Sequence, residues 1–571
     1  MPFQALFQSL PMLVVEKIVE YLEGRLIDFV VKCVSKHNET KKILYPLLSV
    51  SEIWCEAALA SICDNCEIVF DNTRGFFQVK YPAWSAGVSY SQFPRNNMVK
   101  RVVVTAPNWK DMCDKNSAET IAWSQYSGAI FPSATTLLVK LNKSKAVYSK
   151  PGSAISPPTL TPNPVNWRAG AVDFACALLQ LTPAITGVSV VTISVDATDK
   201  SHRDLRDMLV SELCRGSVTR LDVKNYIGHP LLSLLLHDVS RLMSITQGSG
   251  IACLLIARLA YLNARTLKEL HIKPATLDDW SSLIGGGIES PASYTSLVSL
   301  SMVFPTGHNL WCWTTVEGIA PFPALSKLTI SGGYPFDDNT LFRGNRGMLQ
   351  KFSISFYTIA RNALGRSGVF ERSGITRVSS IHIVLTSDTY EPTPSDDLVR
   401  KQMHRILEIS TIMKLGCNPI YGQMLNKRVL NALCAAPSTA ILQHLTLFHQ
   451  RCDIGNVISI IDALPSLVSL TSQICGSAKR IGLIPENEHP SALHERYFPL
   501  SNNFRVLRVS SVVNIDIGIV SIVAMQIAVI CPNFAYVDLP LEVRKAFRGK
   551  ATWSSKNGPF KTYGDALRRL I

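Results

Sequence analysis

One short pattern recurs along this chain and restricts what it can fold into: apolar-x-x-apolar-x-apolar. It occurs as Val99/Val102/Val104, Ala134/Leu137/Val139, Ile185/Val188/Val190, Val218/Leu221/Val223, Leu267/Leu270/Ile272 and Leu297/Leu300/Met302. It continues as Leu325/Leu328/Ile330, Leu349/Phe352/Ile354, Val378/Ile381/Ile383, Leu442/Leu445/Leu447, Phe504/Leu507/Val509 and Phe534/Val537/Leu539, with a weaker copy at Leu467/Leu470 that has Ser472 in the last place. Alternate residues of a strand face opposite ways, so the residue between the last two apolar positions must point away from the core. Those places hold Ser189, Asp222, His271, Ser301, Thr329, Ser353, His382, Thr446, Thr471, Arg508 and Asp538, against only Val103 and Leu138. Eleven polar residues among thirteen require short half-buried strands and single out one outward row of side chains.

Between Leu270 and Ile381 the central residues stand 30, 28, 24 and 29 apart, room for one strand and one helix or loop per unit. The interval widens to 64 between Ile381 and Leu445, which implies an insertion or a copy too degraded to recognise. Helical periodicity falls between the strands, at Val172 to Leu181, Leu205 to Leu213, Leu231 to Met243, Ala252 to Leu262, Leu398 to Ile412, Val457 to Leu464 and Ile515 to Ile530. At 571 residues the chain exceeds a single core, and 47% hydrophobic residues are ample for a folded one. The predicted fold class is therefore α/β, a leucine-rich-repeat solenoid with strands on a concave face and helices on a convex one. The Asn or Cys expected three places past the last apolar residue is replaced by Tyr226, Ala275, Pro305, Gly333, Tyr357, Thr386 and Gln450, so the array is expected to be irregular. Its target-binding row would comprise Asp222, His271, Ser301, Thr329, Ser353, His382 and Arg508.

Ahead of the repeats stand two amphipathic helical stretches. Pro11 suits a first helical turn, and Val14, Val15, Ile18 and Leu22 fall on one face behind it. Leu47, Leu48, Val50, Trp54, Ala57 and Ala58 form a second stripe. Leu10-Pro11, the helix ending in Tyr21-Leu22, and the set Leu47, Val50, Ser51 and Trp54 resemble the F-box, a helical module that docks substrate receptors on the Skp-type adaptor of cullin-RING (SCF) ubiquitin ligases. The layout is similar to that of fungal F-box-like proteins with degenerate leucine-rich repeats. The resemblance implies a receptor without catalytic activity. Leu10, Pro11, Val15, Ile18, Leu22, Leu47, Val50 and Trp54 would contact the adaptor, and a protein target would lie on the repeats. The same helices read from physics alone are a cap for the first repeat, as an open-ended solenoid requires.

The expected organisation is a helical module at 1–66, first repeats at 67–141, a disordered Pro/Ser-rich loop at 142–170, the main array at 171–541 and a basic tail at 542–571. The formal charge is +14. The dense basic region is the tail, where from Arg544 onward Arg544, Lys545, Arg548, Lys550, Lys556, Lys561, Arg568 and Arg569 face only Asp565; such a tail could touch nucleic acid or an acidic protein surface, but without aromatic interleaving or a recognition motif a solvated end is the expected reading and nucleic acid the lesser alternative. The 14 cysteines are scattered, and the pair Cys63 and Cys66 lacks a second pair to complete four ligands, so a helix end with two incidental thiols is expected and no metal. The apolar run Ile517 to Cys531 falls short of the ~20 residues that span a bilayer. No basic n-region precedes the first apolar residues, so the expected setting is cytoplasmic or nuclear, without a membrane. Phosphate-loop, metal-helix and nucleophile-elbow motifs are absent from the sequence, and the expectation is no enzyme and no cofactor.

Overall fold

The computed structural model describes residues 64–71, 76–80, 96–106, 130–142, 164–193, 208–214, 217–224, 241–248, 254–274, 277–285, 291–304, 320–332, 349–357, 378–386, 412–418, 440–452, 454–474, 501–509 and 533–538, with single positions at 431, 527 and 531. The chain forms two compact units, Met1–Gly285 and Gly286–Ile571. The first holds β1 (Asn65–Asp71), β2 (Phe76–Lys80), β3 (Arg101–Ala106), β4 (Thr136–Asn142), β5 (Gly187–Ile193), β6 (Arg220–Lys224), β7 (Ser244–Gln247) and β8 (Glu269–Ile272). Its helices are α1 (Pro164–Leu181), α2 (Leu254–Leu262) and α3 (Leu277–Ile284). The second holds β9 (Ser299–Val303), β10 (Lys327–Gly332), β11 (Lys351–Tyr357), β12 (Ser380–Thr386), β13 (Lys414–Asn418), β14 (His444–Cys452), β15 (Ser469–Ile474), β16 (Val506–Val509) and β17 (Tyr536–Asp538), with α4 (Ile454–Ala463).

In the first unit β1 pairs in parallel with β3, and each strand from β3 to β8 pairs in parallel with the next. In the second, β9 to β17 do the same. A parallel neighbour requires a crossover of a dozen or more residues, which the repeat interval supplies. Among the described residues the one antiparallel pair is β1 with β2, a hairpin that occupies the other edge of β1. Register is held in line: Val102, Leu137, Val188, Leu221, Ile245 and Leu270 follow one another across the first unit, and Leu300, Leu328, Phe352, Ile381, Leu415, Leu445, Leu470, Leu507 and Val537 across the second. All are buried. A slip of one residue would turn every one of them to the opposite face, at about 1.5–3 kcal/mol for each aliphatic exposed. On the buried side α2 packs against β7 and β8, and α4 against β14.

The Asn/Cys tie missing from the sequence has a counterpart at the start of each strand. One carbonyl there accepts the N–H groups of two successive residues in the next unit. Lys100 O takes Thr135 and Thr136, and Thr135 O takes Thr186 and Gly187; in the second unit Ser326 O takes Gln350 and Lys351, and Ser379 O takes Met413 and Lys414. Several of these carbonyls gain a hydroxyl as well, from Thr219 to Thr186 O at 3.2 Å and from Ser379 to Gln350 O at 3.2 Å. Two lone pairs per carbonyl accommodate the two N–H groups, and a hydroxyl where present shares them, so these backbone donors outside the ladder are satisfied.

A further repeated position precedes the pattern read from the sequence. The first apolar residue donates its N–H to the carbonyl three residues earlier, as Ala134 does to Phe131, Ile185 to Thr182, Leu325 to Phe322 and Leu467 to Leu464. Phe131, Thr182, Phe322 and Leu464 are buried, and Pro132, Pro183, Pro323 and Pro465 follow them. Proline presets the second residue of such a turn. Tyr294 occupies the same place before Leu297, and its ring lies 5.3 Å from that of Phe322.

Several expectations change. β7 was not anticipated, since Leu231 to Met243 reads as helical; Arg241 to Met243 instead lead into the strand, and residues 231–240 lie outside the described residues. Its unit is Leu242/Ile245/Gln247, where Gln247 stands in an apolar place, fully buried, and accepts the N–H of Lys273 at 3.0 Å. β13 divides the 64-residue interval into 34 and 30, with Ile412 and Leu415 buried at its start rather than closing a helix. Cys66 is not at a helix end: it is a buried residue of β1 in register with Val102, so the strand begins inside the segment assigned to the helical module. α1 begins at Pro164, and residues 164–170 belong to it rather than to the proline-rich loop, because proline fits a first helical turn. Ser472 is buried because it takes the inward place after Leu470, at the point where the register between β14 and β15 shifts between Thr446 and Arg451. Among the described residues its hydroxyl has no hydrogen-bond partner.

Candidate interaction face

The outward positions of each unit form rows because the strands are in register. In the first unit Glu67, Val103, Leu138, Ser189, Asp222, Thr246 and His271 follow one another. In the second unit the row is Ser301, Thr329, Ser353, His382, Gly416, Thr446, Thr471, Arg508 and Asp538. The structure thus aligns the predicted residues Asp222 and His271 on one row, separated by Thr246. It makes Ser301, Thr329, Ser353 and His382 direct neighbours on β9 to β12, with Arg508 farther along on β16. Val103 and Leu138 keep their outward places, half-buried. The predicted adaptor-binding residues from Leu10 to Trp54 lie outside the described residues, as does the basic tail.

The two rows differ in charge. On the central row of the first unit both carboxylates are matched: Glu67 accepts from the Thr105 hydroxyl at 2.9 Å and meets Lys140 at 3.6 Å, while Asp222 accepts from Ser189 at 3.3 Å and meets Lys224 at 3.3 Å. Exposed pairs of this kind contribute at most about 1 kcal/mol and leave little net field. On the second unit a parallel row at the strand starts runs Ser299, Lys327, Lys351, Ser380, Lys414, His444, Ser469 and Val506. Neither this row nor the central one carries a carboxylate from β9 to β16. Among the described residues the one acid there is Asp538 on β17, 3.6 Å from Arg508.

Burial lowers the pKa of His382, and burial followed by the nearby cations Lys414 and Arg508 lowers that of His444. His444 Nδ1 is 2.8 Å from the Ser469 hydroxyl. His271 is lowered by burial and Lys273, with Asp222 opposing. A histidine with a depressed folded pKa binds its proton more readily once the chain unfolds. Its neutral form therefore costs nothing above the unfolded value of about 6.5, and stability falls as pH drops from there through the folded value. Calorimetry is expected to show a thermal midpoint that is level from about pH 8 to 7 and declines below about 6.5. Replacing His271, His382 and His444 together with glutamine should flatten that decline; an unchanged slope would assign it to other groups.

Among the described residues Cys66, Cys214, Cys452 and Cys531 are buried and Cys176 is exposed. Cys214 is fully enclosed and its pKa is pushed up to about 12 by burial; Cys531 is likewise raised to about 12 by burial against a lowering hydrogen bond from the Ser501 backbone. Protonated thiols of this kind act as small hydrophobes. Among the described residues no group of three or more His, Cys, Asp or Glu side chains could hold a metal ion, and no helix is long and apolar enough to cross a membrane.

No protein-family model matches the chain, and no curated protein matches it in sequence. The functional reading therefore rests on the chain's own residues. The sequence pattern located the central outward row but overlooked the lysine row beside it. That row was legible, because Lys327, Lys351 and Lys414 each stand immediately before the second apolar residue of their unit.

Proposed function

We propose that the chain is a substrate-recognition subunit of a cullin-RING ubiquitin ligase, with F-box-like helices that dock a Skp-type adaptor and leucine-rich-repeat-like units that hold a target protein. The receptor performs no chemistry in this reading. It lends the target proximity to a ubiquitin-charged enzyme. The amphipathic helices would lay Leu10, Pro11, Val15, Ile18, Leu22, Leu47, Val50 and Trp54 into an adaptor groove.

The observation that favours docking over capping is the hairpin at the start of the first unit. β2 pairs along β1 from Glu67↔Lys80 to Asp71↔Phe76, so the sheet's leading edge is already occupied from within residues 65–80. Pairing with β2 moves the edge outward and takes the place beside β1 where a cap of the first repeat would have to sit.

Purified Skp-type adaptor immobilised on beads tests this. Wild-type protein is expected to be retained, and the Pro11→Ala, Trp54→Ala double variant to lose at least about tenfold in affinity, as loss of a central aromatic anchor does, while its circular dichroism stays unchanged. Failure of wild type to bind would refute docking. Removal of residues 1–60 separates the alternatives: a docking module leaves the thermal midpoint of the repeats in place, whereas a cap lowers it.

A further inference from the structure

We propose that the outward face of β10 to β14 in the second unit binds an acidic polypeptide segment, one rich in aspartate and glutamate. Lys327 and Lys351 are register neighbours and Lys414 and His444 are too, with Ser380 between the pairs. The three lysines are exposed, and among the described residues none has a salt-bridge partner. Strands about 4.8 Å apart place these four groups along roughly 19 Å, the length of about six extended residues. Beside them runs a hydroxyl-bearing row that includes Thr329, Ser353 and Thr446, able to bond a peptide backbone.

The chemistry of the row narrows the occupant. Lysine ammoniums are separate, flexible point charges suited to carboxylates spaced along a chain, whereas phosphate recognition favours the bidentate fork of arginine. Neither outward row of β9 to β16 has a Phe, Tyr or Trp, so stacking platforms for nucleic-acid bases are missing from it. The first unit has lysines too, but Lys140 and Lys224 are already matched by Glu67 and Asp222. Under the proposed receptor function this segment would belong to the target; the binding itself does not depend on adaptor docking.

The full chain, without adaptor, is titrated into a fluorescein-labelled twelve-residue Glu/Asp peptide, with the Gln/Asn peptide of equal length as control. Binding is expected to weaken as salt rises, and the Lys327→Gln, Lys351→Gln, Lys414→Gln variant to bind at least about tenfold more weakly, as loss of three unpaired surface contacts implies. The Lys140→Gln, Lys224→Gln variant should stay within about twofold, since exposed matched pairs contribute little. The proposal falls if the acidic peptide binds no better than the neutral one, or if the triple variant, folded by circular dichroism, binds as wild type does. It also falls if only glutamine substitutions in the tail from Arg544 to Arg569 abolish binding, or if a single-stranded oligonucleotide of equal charge binds more tightly than the peptide. Loss of adaptor retention with peptide binding intact would overturn the ligase reading alone.

Discussion

Replacing Asn263 with alanine is expected to destabilise the first unit by about 2–4 kcal/mol, far more than the size of the side chain suggests. Asn263 is 2% exposed. Its Oδ1 accepts the N–H groups of Arg241 and Leu242, both at 2.9 Å, and its Nδ2 donates to Leu259 O at 2.8 Å. One amide therefore joins the C-terminal end of α2 to the chain leading into β7, two units' worth of backbone that no ladder bond connects. Alanine leaves the buried N–H of Leu242 without this partner, at about 1–3 kcal/mol, and removes one bond worth about 1 kcal/mol from Leu259 O, which keeps the backbone N–H of residue 263, while water can replace the contact at exposed Arg241. Thr266→Ala is the comparison: it removes a hydroxyl bond to Leu242 O at 2.9 Å at the unit's rim and should cost about 1 kcal/mol. Urea unfolding with an unchanged slope distinguishes the two by their midpoints. Equal midpoints for Asn263→Ala and wild type would show that the amide network is dispensable.

Asn263 also shows why the sequence discloses the strands better than what holds them together. The pattern reports side chains that alternate between core and solvent, and hydrophobicity enforces it at nearly every unit. The exceptions are units in which a polar residue is buried. Gln247 hides β7, its amide bonded to Lys273 N, and Ser472 weakens the pattern of β15 where the register with β14 shifts. The backbone ties at the strand starts leave no residue-type signal at all, since any carbonyl can accept two N–H groups; only the occasional Thr or Ser hydroxyl, as at Thr186 and Thr219, marks them. By contrast, the buried residue followed by proline at Phe131, Phe322 and Leu464 was written in the chain. Reading it three places before the first apolar residue would have fixed the unit boundaries. The outward row was legible because its polarity follows from alternation; the lysines stood at one legible place in their units, and register then showed which of them are neighbours.

Trp280→Ala is expected to cost about 3–5 kcal/mol, and Trp280→Phe about half as much, because the indole is fully buried on α3, the helix that packs on α2. α3 is short and contains Asp278, Asp279, Ser281 and Ser282, a composition that conceals a helix. Trp280, Leu283 and Ile284 nevertheless share one face and are buried, and α3 packs on α2, which in turn covers β7 and β8. A helix of eight residues has little stability of its own, so its formation depends on this packing. Gly285 stops it with φ at 78°, a conformation that a side chain disfavours. Truncating the indole would therefore remove a core contact and the reason for the helix together. Ser281→Ala, half-exposed on the same helix, should change stability by less than about 0.5 kcal/mol. Near-wild-type stability in Trp280→Ala would mean that the site can collapse around a small residue, and that α2 alone covers the last strands of the unit.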